Sequence, residues 1–199
     1  MSAAPNDEHH DNWPAILTWR GHNDRRMESV RVQLSGSRLK AYGRIVSAAT
    51  DTAPAFSASY DLVTDESGAT KRLSMTVTLA ERERQLSIAR DEENMWLVQT
   101  PAGQISRLAY DGALDVDVVF SPFFNALPIR RTALHQRKDT LILPIVYVWL
   151  PDMEVKPATL SYTSLGDGNI DLSSPLGDTR ITVDGDGFIQ DYPGLAERI

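Results

Sequence analysis

Asp115 and Asp117 stand two residues apart in the alternating stretch Leu114-Asp-Val-Asp-Val118. In a strand both carboxylates leave one face, about 7 Å apart, while Leu114, Val116 and Val118 leave the other. Two carboxylates on one face are what a glycoside hydrolase needs, one of them with a raised pKa. The reading preferred for the pair is an ion-pair network with Arg130 and Arg131, which follow shortly in the chain. Adjacent arginines in a strand point to opposite faces. At most one can then meet the carboxylates, and the other is free to grip a phosphate or sugar headgroup through paired hydrogen bonds.

Tyr147, Trp149 and Tyr162 supply flat amphipathic faces that can stack on sugar rings or build a core, with Trp19 and Trp96 as further candidates. Asp184-Gly-Asp-Gly187 starts like a calcium loop. Phe188 and Leu195 occupy the fifth and twelfth positions, where oxygen ligands are required, so the stretch reads as a hairpin turn and no metal is expected. His9 and His10 lie in a polar leader, and His22 and His135 stand far from any nucleophile motif. No phosphate loop or dinucleotide fingerprint occurs, so no cofactor is expected.

The elements that must position these groups are strands. Val30, Val32 and Leu34 alternate with Arg31 and Gln33, and Leu73, Met75, Val77 and Leu79 alternate with Ser74, Thr76 and Thr78. Leu39–Val46, Phe56–Val63, Trp96–Gln99, Ile105–Leu108, Leu114–Phe120, Leu160–Thr163, Asn169–Leu172 and Thr179–Val183 are further strand candidates between turn signals. Leu141–Leu150 is a continuous apolar run that reads as a strand buried on both faces, with Pro144 requiring a bulge or an unpaired edge. Helix is expected only as a turn or two around Pro122–Leu127, because no segment keeps apolar residues at helical spacing for two full turns.

The 199-residue chain has no cysteine, and its 27 acidic residues outnumber 20 basic ones. That balance argues against a nucleic-acid partner. Missing disulfides suit a reducing compartment, and no signal-like start or 20-residue apolar span is found, so a cytoplasmic location is expected. Residues 1–13 read as a flexible leader and 14–199 as one domain.

Three stretches of the C-terminal half resemble the glycolipid-binding family of bacterial proteins. They are Leu114–Asp117 leading to Asn125-Ala-Leu-Pro-Ile-Arg-Arg131, then Ser161-Tyr-Thr163, then Val183–Leu195. The resemblance implies an all-β spiral roll, like a half-open barrel, that holds an apolar ligand without catalysis. From their own chemistry, Arg130, Asp115, Asp117, Asn125, Tyr147, Trp149 and Tyr162 are the expected ligand-binding residues, and Pro128, Arg131, Asp191 and Tyr192 the expected structural ones. The implied partner is a lipid or glycolipid, with a homodimer left open. A small hydrolase using Asp115 or Asp117 with an arginine is the alternative. Pro128 biases Leu127 toward an extended conformation, so the chain is expected to enter a strand near Ile129. Ile129 would then draw Arg131 inward against an acid and leave Arg130 on the other face.

Overall fold

The structure, a computed structural model, describes residues 13–199. One 15-stranded sheet forms the body. Eight strands make an antiparallel meander: β1 Ala15–Gly21, β2 Arg26–Ser35, β3 Arg38–Ser47, β4 Phe56–Thr64, β5 Thr70–Thr78, β6 Glu83–Arg90, β7 Trp96–Gln99 and β8 Ile105–Leu108. After β9 Asp115–Val118 and the helix α1 Pro122–Arg131, six more follow: β10 Thr140–Trp149, β11 Glu154–Gly166, β12 Asn169–Ser174, β13 Gly177–Val183, β14 Ile189–Tyr192 and β15 Ala196–Arg198. β15 pairs with β1, which joins the two series into one sheet with β8 and β9 at its ends. The alternation seen in sequence is the alternation of burial: β4 is buried at every second residue from Phe56 to Thr64.

The sheet curls until β9 meets β5 rather than β8. Thr70 N donates to Leu114 O at 2.9 Å, and Trp96 Nε1 on β7 donates to Ala113 O at 2.9 Å. Strands β6–β8 therefore lap past the contact, and the roll is a spiral. The expectation of a doubly buried strand holds for Ile145–Val148, the part of β10 paired in parallel with β9, and fails for Thr140–Pro144, which is not fully buried. Pro144 pairs only toward β11, one residue short of where β9 begins, so its missing N–H disrupts no ladder on that side.

The largest departure from expectation is α1. The helical turn expected around Pro122–Leu127 is present, but no strand begins near Ile129: the helix runs ten residues and passes through Pro128. Pro122 starts it, where a missing N–H costs nothing. Every residue from Pro122 to Ile129 is buried, Asn125 included, so the helix is enclosed on all sides and shows no amphipathic period. Phe123 and Phe124 fill the roll, with Phe123 stacked 6.3 Å from Phe188 and Phe124 5.0 Å from Tyr60. Tertiary packing thus overrides the local bias of Pro128. Residues 1–12 of the expected leader lie outside the described residues. Trp13 belongs to the folded part, packed 5.2 Å from the Phe188 ring.

Candidate functional site

Antiparallel connections place the turns of the roll at two mouths. One collects the turns after β2, β4 and β13 with the C-terminus of α1. The other collects the turns after β1, β5, β7, β10, β12 and β14 with the N-terminus of α1.

At the first mouth Arg131 meets Asp115. Its Nη2 lies 2.7 Å from Oδ2, and Nε reaches both carboxylate oxygens at 3.1 and 3.3 Å. Burial raises the pKa of Asp115, and the hydrogen bonds and charge of Arg131 oppose that rise. Arg130 takes another direction: its guanidinium lies 4.5 Å over the Phe188 ring, and Nη1 donates to Asp186 O. Burial lowers its pKa. Arg130, Arg131 and His135 line a cleft of about 210 Å³ whose acidic member is Asp186.

Deeper inside, Asp117 faces Tyr147, Tyr162 and Tyr192 rather than an arginine. Its Oδ1 is buried without a hydrogen-bond partner. Burial, with the nearby Glu28 adding to it, pushes its pKa up to about 8. Glu28 is 2 % exposed; Tyr60 Oη donates to its Oε1 at 2.7 Å, and Ser121 Oγ lies 2.7 and 2.8 Å from its two oxygens. Burial raises it to about 7 against those hydrogen bonds. Tyr162 Oη donates to Asn125 Oδ1 at 3.1 Å.

The sequence candidates are thus divided. Asp115 and Arg131 come together; Asp117, Asn125, Tyr147, Tyr162 and Tyr192 share the interior; Arg130 stands at the mouth. Trp19 and Trp96 are fully buried and bonded to main-chain carbonyls, which makes them core. Trp149 is half-buried and meets Tyr147 edge-on, 5.4 Å between centroids. Asp191 lies outside, 2.7 Å from His22 Nε2. Among the described residues no three histidine or carboxylate side chains gather as a metal would require. In the Asp184 loop Oδ1 is taken by the N–H groups of Asp186 and Phe188 and Oδ2 by Arg198.

Sequence reasoning missed Glu28 and Arg26. The signal was present, since Arg26 and Glu28 precede Val30 and Val32 at period two and so share their buried face.

At the second mouth Arg26, 6 % exposed, lies 4.4 Å over the Phe120 ring. Burial lowers its pKa, and the charge of Asp24 opposes that. Beside it is a cleft of about 290 Å³ reaching Tyr192. Where β6–β8 lap over the β10–β11 hairpin, a larger cleft of about 710 Å³ opens. Val98, Leu108, Tyr110, Met153 and Val155 give it an apolar floor, and the Arg84–Asp152 ion pair, 2.8 Å, links its two sides.

Comparison with known proteins places this geometry in context. A family described as "Putative glycolipid-binding" matches residues 16–198. A crystal structure of a DUF1089 family protein from Pseudomonas aeruginosa is 24% identical, with a TM-score of 0.69, covering 86% of this chain and 92% of that one. A β-barrel-like protein of the DUF1849 domain of unknown function, from Brucella abortus, is 11% identical with a TM-score of 0.51, covering 92% of each chain. Both likenesses are of fold. No curated protein matches. Among the described residues no helix is long and apolar enough to cross a membrane.

Proposed function

We propose that this chain, which belongs to the family described as "Putative glycolipid-binding", holds a lipid or glycolipid without catalysis, its apolar part lying in the cleft at the seam of the spiral. The observation that carries this reading is the apolar floor of that cleft. An outer groove of similar size, about 700 Å³, is lined largely by Ser59, Asp61, Ser74, Thr76, Gln85 and Ser87 and offers an acyl chain far less. The centre of the roll is filled by Phe123 and Phe124, so the ligand lies at the seam and not on the axis. A volume near 700 Å³ falls within the usual range for small-molecule sites, roughly 300–1,000 Å³.

Asp115 and Asp117 line none of the clefts described above, which favours the binding reading over the hydrolase one. Arg130 is the proposed contact for an acidic group at the first mouth, because it lines the cleft there while Arg131 is committed to Asp115.

Native mass spectrometry of freshly purified protein should show co-purified lipid, and a fluorescent fatty acid should be taken up saturably. Leu108→Asp, at a position 51% exposed, should leave the fold intact and weaken uptake about tenfold or more. Protein that carries no lipid and takes up no probe refutes the reading.

A further inference from the structure

The second mouth carries a site of another kind. We propose that the cleft between Arg26, Phe120 and Tyr192 binds a neutral sugar ring; this rests on the glycolipid-binding reading and puts the headgroup at the same mouth as the seam cleft.

The first support is an unused donor. Arg26 heads β2, and Asp24 Oδ2 approaches its Nη2 to 2.8 Å. Asp24 is thus its ion-pair partner, yet the buried Nη2 makes no well-aligned hydrogen bond within the fold, and the side chain lines the cleft. Buried N–H groups are seldom left unpaired, because the desolvation is then uncompensated. A ligand hydroxyl arriving in the cleft supplies the acceptor.

A second support is the backbone. Phe120 adopts φ +71°, a conformation that bulky side chains rarely take. In this conformation the Phe120 ring lies under the guanidinium, and the next residue, Ser121, reaches Glu28. Strain of this kind persists where the surroundings fix it, and it clusters at ligand sites.

The charge balance then chooses the ligand class. One guanidinium faces two carboxylates, Asp24 and Asp178, so the cleft repels phosphate and carboxylate. Sugar hydroxyls suit it, since each can donate to a carboxylate and accept from the arginine. Tyr192 and Pro193 add apolar wall for the C–H face of a ring. A volume of about 290 Å³ limits the occupant to a small saccharide.

Methyl glycosides of glucose, galactose and mannose, titrated by protein-observed NMR with inorganic phosphate as control, test the proposal. At least one glycoside should saturate, with shifts at Phe120, Asp178 and Tyr192, and phosphate should not displace it. Arg26→Lys, which loses the forked donor, and Asp178→Asn should each weaken it about tenfold. Asp178 is exposed, so its variant reports on binding even if Arg26→Lys unfolds. Saturation by none of the glycosides, or equal affinity in Asp178→Asn, overturns the site. If lipid uptake persists in that case, only the sugar site has failed; if uptake is also absent, the glycolipid reading has failed with it.

Discussion

At one mouth of the roll Arg130 lies 4.5 Å over Phe188; at the other Arg26 lies 4.4 Å over Phe120, and burial lowers the pKa of both guanidinium groups. What differs is how the buried acids nearby are managed. Asp115 is held by the forked contacts of Arg131, charge against charge. Glu28 is hydrogen-bonded by Tyr60 and Ser121, with the charge of Arg26 the weakest of the opposing influences, Asp117 meets no arginine, and their pKa values rise to about 7 and about 8. One region answers buried charge with a counter-charge and the other with a proton. The second arrangement should take up protons as the chain folds.

The largest test is Arg131→Met. It leaves Asp115 buried and unpaired, and the fold should lose about 3 kcal/mol or more in urea denaturation. The double variant with Asp115→Asn should recover part of that loss, because the orphaned charge is gone. A single-variant loss below about 1 kcal/mol would mean that the pair is too hydrated to count as buried.

The acid pair is tested by pH. Unfolded, Glu28 and Asp117 titrate near the ordinary carboxylate range; folded, they titrate at about 7 and about 8. Between those limits the native state holds more protons, so stability falls as pH rises through that window. The slope should reach about 1.4 kcal/mol per pH unit for each group. Glu28→Gln and Asp117→Asn should each flatten it, and a wild-type profile already flat from pH 5 to 8 would remove the distinction between the two regions.

The sequence revealed these regions unevenly. Strands such as β4 and β5 are half-buried, and their period-two pattern is visible because one face is wet. For α1 the sequence shows only a helical turn around Pro122–Leu127, and its continuation to Arg131 is hidden for the opposite reason: a helix buried on nearly every side has no polar stripe to betray its length. Asp115, Arg131 and Arg130 could be singled out as a motif, but their partners depended on the path of that helix. Glu28 was overlooked as a charge in a strand, although it sits in register with Val30. A repeated device also went unnoticed. Asp65, Asp91 and Asp184 each open a loop in which Oδ1 accepts two main-chain N–H groups and Oδ2 meets an arginine. The residue three positions later, Gly68, Asn94 or Gly187, has positive φ, which allows the short return. At Asp184 this gives a longer loop than the two-residue turn expected, with Asp184 N bonded to Phe188 O.

Tyr162→Phe is a smaller test of the interior. It removes the donor to Asn125 Oδ1, and a buried hydrogen bond of that kind is worth about 1 kcal/mol. The loss should appear as a lowered urea midpoint with an unchanged slope. A neutral effect would mean that Asn125 finds another donor.

The smallest stability effect is expected where the two mouths look most alike. Arg130→Ala removes a guanidinium that bonds one main-chain carbonyl and covers one aromatic ring, and it orphans no carboxylate. An exposed-to-partly-buried cation–π contact is worth about 0.5–1 kcal/mol, so the melting transition should move little. The Asp186 carbonyl sits in an exposed loop and can turn to water in its place. Retention of an acidic ligand at the first mouth should fall by contrast, because Arg131 is committed to Asp115 and cannot substitute. Titration of inorganic phosphate against wild type and Arg130→Ala, beside thermal melts of both, separates the two outcomes. A loss of stability matching that of Arg131→Met would show that both arginines serve the fold, and the contrast between a committed and an available cation at this mouth would be wrong.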